Sequence, residues 1–237
     1  MVILTLNAGM PNSKNVQPCN GVCKSPNRNQ VSRFSLFKRR WCFLLLAALT
    51  CFALLLTSLP TQAAFPAPVV NVKTNYYTVQ GNSPQQLRQQ LNQLGSISRT
   101  GRRFDGTTQW RVRWKYGYSN RPNQCQLTNA QITLNVVITM PRWQTPTNAQ
   151  TQLRQRWQRY IRALQLHENG HRDNGVAAAR ELTSSLRQLG QRRFSSCTAM
   201  TQQFKQTSDR IISYYSQRDK DYDRVTQHGR TQGAVFP

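Results

Sequence analysis

Acidic side chains and histidines are both scarce in this sequence. Against 32 Lys plus Arg stand 8 Asp plus Glu, only two of them glutamates (Glu168 and Glu181), and there are three histidines in 237 residues. Scarcity argues against coincidence wherever the two types fall together. At these frequencies an accidental H-E-x-x-H arises in roughly one such chain in a few thousand. Internal repeats are absent, which excludes a repeat array. No nucleic-acid-binding motif accompanies the formal charge of +24. That charge would suit an anionic partner, such as nucleic acid or a charged envelope polymer, and would equally keep a surface solvated.

Cysteine becomes scarce once the chain is divided. Residues 38–40 read KRR, and from Trp41 to Leu59 no charge interrupts WCFLLLAALTCFALLLTSL. PTQAAFPAP follows, with small residues before a cut after Ala63 or Ala64. A basic flank, an apolar run and a small-residue exit describe a signal peptide over 38–63. The run of 19 residues also suffices for an uncleaved membrane anchor. Residues 1–37 are polar and aperiodic, a leader read as disordered, and the CNGVC spacing of Cys19 and Cys23 assigns it no role. Removing residues 1–63 takes seven basic residues and no acid, leaving +17 of the charge, with Cys125 and Cys197 the two cysteines that remain. In an exported chain two cysteines most simply pair with each other.

What is present reads as a single domain over 64–237. NYYTVQG resembles a short strand ending at Gly81. NSPQQLRQQLNQLG carries helix signals, with Ser83 as N-cap, Pro84 at the first position, Gly95 as stop, and Leu87, Leu91 and Leu94 on one face. TTQWRVRWKYGY alternates Trp110, Val112, Trp114 and Tyr116 against Arg111, Arg113 and Lys115, a half-buried strand. Its basic face is either a polyanion site or the wet side of a sheet. RPNQC makes a turn into AQITLNVVITMP, a second strand expected to pair antiparallel with the first. From Thr147 the period becomes helical for about forty residues. Leu153, Trp157, Tyr160, Ile161, Leu164, His167, His171, Leu182, Leu186 and Leu189 share one stripe. Gly170 and Gly175 weaken that helix but allow another segment close approach. A further helix is expected from Thr198 to about Asp221, followed by an aperiodic tail.

The stretch HENGH, residues 167–171, carries the chemistry. Two imidazoles at i and i+4 project from adjacent turns of one helical face, and each can give a nitrogen to Zn²⁺ at about 2.0–2.1 Å. The intervening Glu168 stands close enough to take a proton from a water at the metal. The competing reading makes His167 and His171 core residues bonded to backbone. Two neutral imidazoles and a carboxylate on one apolar stripe all need polar partners, and a metal supplies two of them. A catalytic zinc needs a third protein ligand, and His228, in VTQHGRT, is the remaining imidazole. Asp223, five residues before it, is expected outside the ligands, accepting an imidazole N–H. Asp173 is a weaker candidate for that place, since it points elsewhere on a regular helix. Tyr222 is a candidate oxyanion donor or a packing residue.

YYTVQG, FDGTTQWRVRWKY, Cys125 before a strand ending in MPRW, HENGH and YDRVTQHGRTQG together resemble a bacterial family, domain of unknown function 922, described as predicted secreted zinc-dependent proteases. The resemblance runs over about residues 75–235. It implies His167, Glu168 and His171 as zinc-site residues and His228 as third ligand, within a pattern that also includes Tyr222, Asp223, Thr226 and Gly229.

The expected protein is therefore α+β, zincin-like, with a small antiparallel sheet beside a long metal-binding helix. It is expected to be exported to the periplasm or beyond, and to hydrolyse peptide bonds in the cell envelope with Zn²⁺ and Glu168 as general base. Two rivals stand beside that reading. One is a catalytically silent zinc-containing protein that holds an anionic envelope polymer on its basic surface. The other is a hydrolase acting on amides of cell-wall peptide. Membrane attachment is expected only if the signal segment stays uncleaved, and no specific nucleic acid is expected.

Overall fold

The structure is a computed structural model that describes residues 64–98 and 101–236. The expected leader and signal peptide, 1–63, lie outside the described residues. Among the described residues no helix is long and apolar enough to cross a membrane. The architecture is α+β: a small mixed sheet and three helices.

Three strands make the main sheet in the order β1-β5-β4. β4 (Thr107–Arg121) and β5 (Gln124–Trp143) form the expected antiparallel hairpin, turning at Asn123 with φ 55°. β1 (Val69–Val79) corrects the expected all-antiparallel sheet, because it runs parallel to β5. A parallel neighbour requires a crossover, and the chain from β1 to β4 supplies one. That chain holds α1 (Pro84–Leu94) and the short pair β2 (Ser96–Ile97) and β3 (Arg103–Phe104).

Alternation decides which face is buried. Trp110, Val112 and Trp114 of β4 point inward, as do Ile132, Leu134, Val136, Ile138 and Met140 of β5. The register shifts at Gly117/Tyr118, where Gly117 faces Asn129 and Tyr118 faces Leu127. One residue of β5 is thereby unpaired, so the buried set changes from odd positions (Cys125, Leu127) to even ones (Ala130, Ile132). Arg113 and Lys115 are exposed on the opposite side, the wet face of the sheet.

α1 starts as its sequence dictates: Ser83 Oγ accepts the Gln86 N–H at 3.2 Å, with Pro84 in the first turn. Leu87 and Leu91 are buried, but Leu94 is 47% exposed. Gly95 ends the helix at φ −56°, so positive φ is not its reason. A Cβ there would stand 2.6 Å from the Phe104 carbonyl oxygen, and glycine lets β3 close on the helix end.

α2 (Thr151–Gly190) and α3 (Cys197–Thr226) form an antiparallel pair over the inner sheet face. The stripe on α2 is buried as expected, with Ile161 half-buried. Gly175 admits Trp110, whose Cγ would be 2.8 Å from an added Cβ. Ser196 caps α3 by accepting the Ala199 N–H at 3.2 Å. α3 runs five residues beyond the expected end, through Tyr222, Asp223 and Thr226.

Cys125 and Cys197 form the expected disulfide, closing 72 residues between β5 and the start of α3. In the chain-entropy account such a loop constrains the unfolded state by about 4 kcal/mol. Reduction, or Cys125→Ser with Cys197→Ser, is expected to lower unfolding free energy by an amount of that order, read by urea denaturation with and without reductant. An unchanged midpoint would contradict this.

Candidate metal centre

The long middle helix and the last turns of α3 bring the scarce residues together. Because the helices run antiparallel, positions 174, 171 and 167 of α2 meet 219, 223 and 226 of α3 in turn. His167, Glu168, His171 and Asp219 are all at most 4% exposed. Gly170 makes the approach possible: a Cβ there would overlap the Tyr222 ring at 2.3 Å.

Each imidazole has its outer nitrogen engaged. His171 Nδ1 lies 3.0 Å from Asp219 Oδ1, and His167 Nδ1 lies 3.1 Å from Gln232 Oε1. Both partners are acceptors, so both Nδ1 atoms carry the proton and donate. Asp219 is itself held, accepting Trp110 Nε1–H at 2.7 Å and Asn174 Nδ2–H at 2.8 Å. Tyr222 stacks on His167 with centroids 5.1 Å apart and rings 11° from parallel.

The inner nitrogens share one target. His167 Nε2 is 3.2 Å and His171 Nε2 is 3.1 Å from Asp223 Oδ1. If both rings are neutral, three lone-pair atoms face one another with no hydrogen between them. Such a cluster is stable only with added protons or with a cation. With protons, His171 bridges Asp219 and Asp223. Burial pulls its pKa down, but hydrogen bonds to the two carboxylates outweigh that and raise it to about 9. Burial likewise pushes Asp223 up, and hydrogen bonds from His167 and His171 outweigh it, holding the carboxyl well below its ordinary value.

The same geometry fits a metal. Donor atoms bound to one tetrahedral zinc at about 2.1 Å stand about 3.4 Å apart. The N···O separations here are already near that, and one donor atom from each of His167, His171 and Asp223 falls within 4.8 Å of the other two. Asp223, expected behind the candidate donors, thus sits among them, while the outer place at His171 belongs to Asp219. His228 stands outside that group and touches it through Asp223 Oδ1, 3.3 Å from its Nδ1. It follows the end of α3 in a left-handed turn, with φ 50° at Gln227, 53° at His228 and 82° at Gly229. Gly229 is required twice over, since a Cβ there would also press on His167 at about 3.0 Å. Asp173 faces solvent beside Arg172. The Tyr222 hydroxyl engages Gln232, accepting from its Nε2 at 3.0 Å.

Glu168 faces the other way, toward the sheet. Its Oε2 accepts the Thr108 hydroxyl at 2.8 Å. Burial raises its pKa, against the lowering effects of Thr108 and the two histidines. Gly106 leaves room for the second oxygen: a Cβ there would be 2.8 Å from Glu168 Oε1. Asp105 anchors this segment through a bidentate ion pair with Arg88 and the Tyr160 hydroxyl at 2.7 Å. Glu168, His167, His171, Asp223 and His228 all border one cleft of about 430 Å³.

Sequence reasoning missed Asp219, Gln232, Thr108 and Asn174. Only Asp219 left a signal, its i, i+4 spacing from Asp223, and that signal required α3 to continue past Asp221. A bacterial family described as a protein of unknown function, DUF922, matches over residues 74–229. No curated protein and no solved structure matches.

Proposed function

The chain belongs to the DUF922 family, and from that footing we propose that it is an exported, zincin-like, zinc-dependent hydrolase of peptide bonds, working in the periplasm or outside the cell. The observation that carries the reading is the convergence of His167 Nε2, His171 Nε2 and Asp223 Oδ1 with both outer imidazole nitrogens already committed as donors. Two imidazoles and a carboxylate make a donor set suited to zinc, and three protein ligands leave a coordination position open.

When bound there, zinc would supply Lewis acidity to a water and to a carbonyl oxygen. The remaining work falls to the chain. Asp219 and Gln232 fix the tautomers and ring orientations of His171 and His167. Thr108 pins one oxygen of Glu168, so that the other is presented along the cleft beside Gly106. Burial makes that carboxylate a better base than a solvated one, able to take a proton from the attacking water and return it to the leaving amine. Leu164 and Phe236 belong to the apolar part of the same cleft's lining.

His228 supports a second ligand assignment, as the third donor in place of Asp223, because it approaches the same carboxylate oxygen. Metal analysis of purified protein decides between them. Asp223→Asn is expected to lose most zinc and His228→Ala to retain about one ion per chain. The reverse result assigns His228. Comparable loss in both indicates four protein ligands and a closed, structural zinc, which would favour the silent binding protein. Full zinc content in His171→Ala would remove the centre altogether.

A further inference from the structure

The cleft over Glu168 is bordered by more positive charge than its floor uses. Four arginines line it: Arg88, Arg102, Arg103 and Arg230. Arg88 is committed to Asp105. The other three are exposed, and among the described residues no ion pair engages any of them. Arg103 donates to the Gly95 carbonyl at 2.8 Å, which fixes the side chain without neutralising it. The Arg102 guanidinium lies 5.1 Å over the Phe104 ring, whose centroid is 5.4 Å from that of His228. Arg230 follows His228 by two residues. Charge therefore gathers around the mouth of the candidate centre, not only over the surface at large.

We propose that the cleft selects anionic peptides, with carboxylate groups flanking the bond presented to Glu168. This rests on the hydrolase reading above. Guanidinium forks pair bidentately with carboxylates, and a cleft lined with one sign of charge concentrates ligands of the other. A peptide suits the site better than a nucleic acid. The arginines cluster at one cavity of about 430 Å³ and do not form a track along a backbone. Phe104, half-buried, and Val235, exposed, stand in the same lining and offer apolar contact to a residue between the carboxylates. Of the floor carboxylates, Asp105 is engaged by Arg88 and Tyr160 and Asp223 by the histidines, which leaves Glu168 alone against three rim guanidiniums.

The test compares two fluorescent peptides of the same length, one with Glu and the other with Lys at positions flanking a central Leu-Ala. Binding is read by anisotropy on the zinc-loaded Glu168→Gln protein, and cleavage is read on wild type. The acidic peptide is expected to bind at least tenfold more tightly. Arg102→Gln with Arg230→Gln is expected to bring the two peptides to near parity while keeping zinc content and melting temperature. Arg113→Gln with Lys115→Gln removes equal charge from the outer sheet face and is expected to leave the discrimination intact. Equal binding of the two peptides, or equal loss in both double variants, would overturn the proposal. Tighter binding of a polyphosphate chain than of the acidic peptide would also overturn it. Charge discrimination without cleavage of any peptide by wild type would sink the hydrolase reading alone and leave the ligand class standing.

Discussion

Glu168→Gln is expected to keep its zinc and lose turnover by about 10²–10⁴-fold, the usual worth of a positioned general base. The amide keeps the shape of the carboxylate and can still accept from Thr108, which now bonds Oε2 at 2.8 Å. What it cannot do is hold a proton between attack and departure. The loss should appear in kcat with KM little changed, since in the proposed reaction Glu168 would act on the reacting water and not on the substrate's binding groups. Stability should move the other way. Burial raises the Glu168 pKa above its ordinary value. A carboxyl raised on folding costs stability at every pH above its unfolded value, where the chain must keep it ionised in place. Removing the charge relieves that cost, so at pH 7 the variant should melt no lower than wild type. Undiminished turnover in a zinc-replete variant would end the mechanism, and a lowered melting temperature would mean that Glu168 is chiefly a structural partner of Thr108.

The parts of the fold legible in the sequence are those where one local rule decides. Ser83, Pro84 and Gly95 bracket α1 to the residue. The alternation around Trp110, Val112 and Trp114 gives β4, and the long stripe from Leu153 to Leu189 gives α2. What stayed hidden depends on partners distant in sequence. The parallel pairing of β1 is set by the crossover through α1, and nothing in VVNVKTNYYTV states a direction. Leu94 reads as core by periodicity yet faces solvent, because α1 presents only Leu87 and Leu91 to a neighbour.

The end of α3 is the most instructive miss. Apolar periodicity fails from Asp219 to Thr226 because that face packs on a polar centre instead of a core. Asp219, Asp223 and Thr226 are the stripe, at i, i+4 and i+7, and they meet His171 and His167 across the helix pair. The same substitution of polar for apolar contacts concealed Asp219. HENGH was readable because its chemistry is local to one helix, whereas the carboxylate that orients His171 comes from 48 residues further on.

That carboxylate sets the second large effect, the pH dependence of metal binding. His171 in the metal-free protein is raised to about 9, with burial opposing and hydrogen bonds to Asp219 and Asp223 prevailing. A raised histidine stabilises the fold fully below its unfolded pKa, roughly 6.5, and that contribution is lost as pH rises through about 9. Zinc needs His171 Nε2, the nitrogen that faces Asp223, without its proton, so affinity should climb about tenfold per pH unit across this window for one displaced proton. The metal-free protein should thus lose thermal stability from pH 6.5 toward 9 while the zinc form does not, and the gap between their melting temperatures should widen. Asp219→Asn removes one of the two carboxylate charges that hold the second proton on His171. It should flatten the profile and, because the ring is no longer oriented by a carboxylate, weaken zinc about 10- to 100-fold at the alkaline end. Chelator competition at several pH values reads both slopes. An affinity independent of pH in wild type would mean that no proton occupies the place where the cation binds, and the centre would not be the one formed by His167, His171 and Asp223.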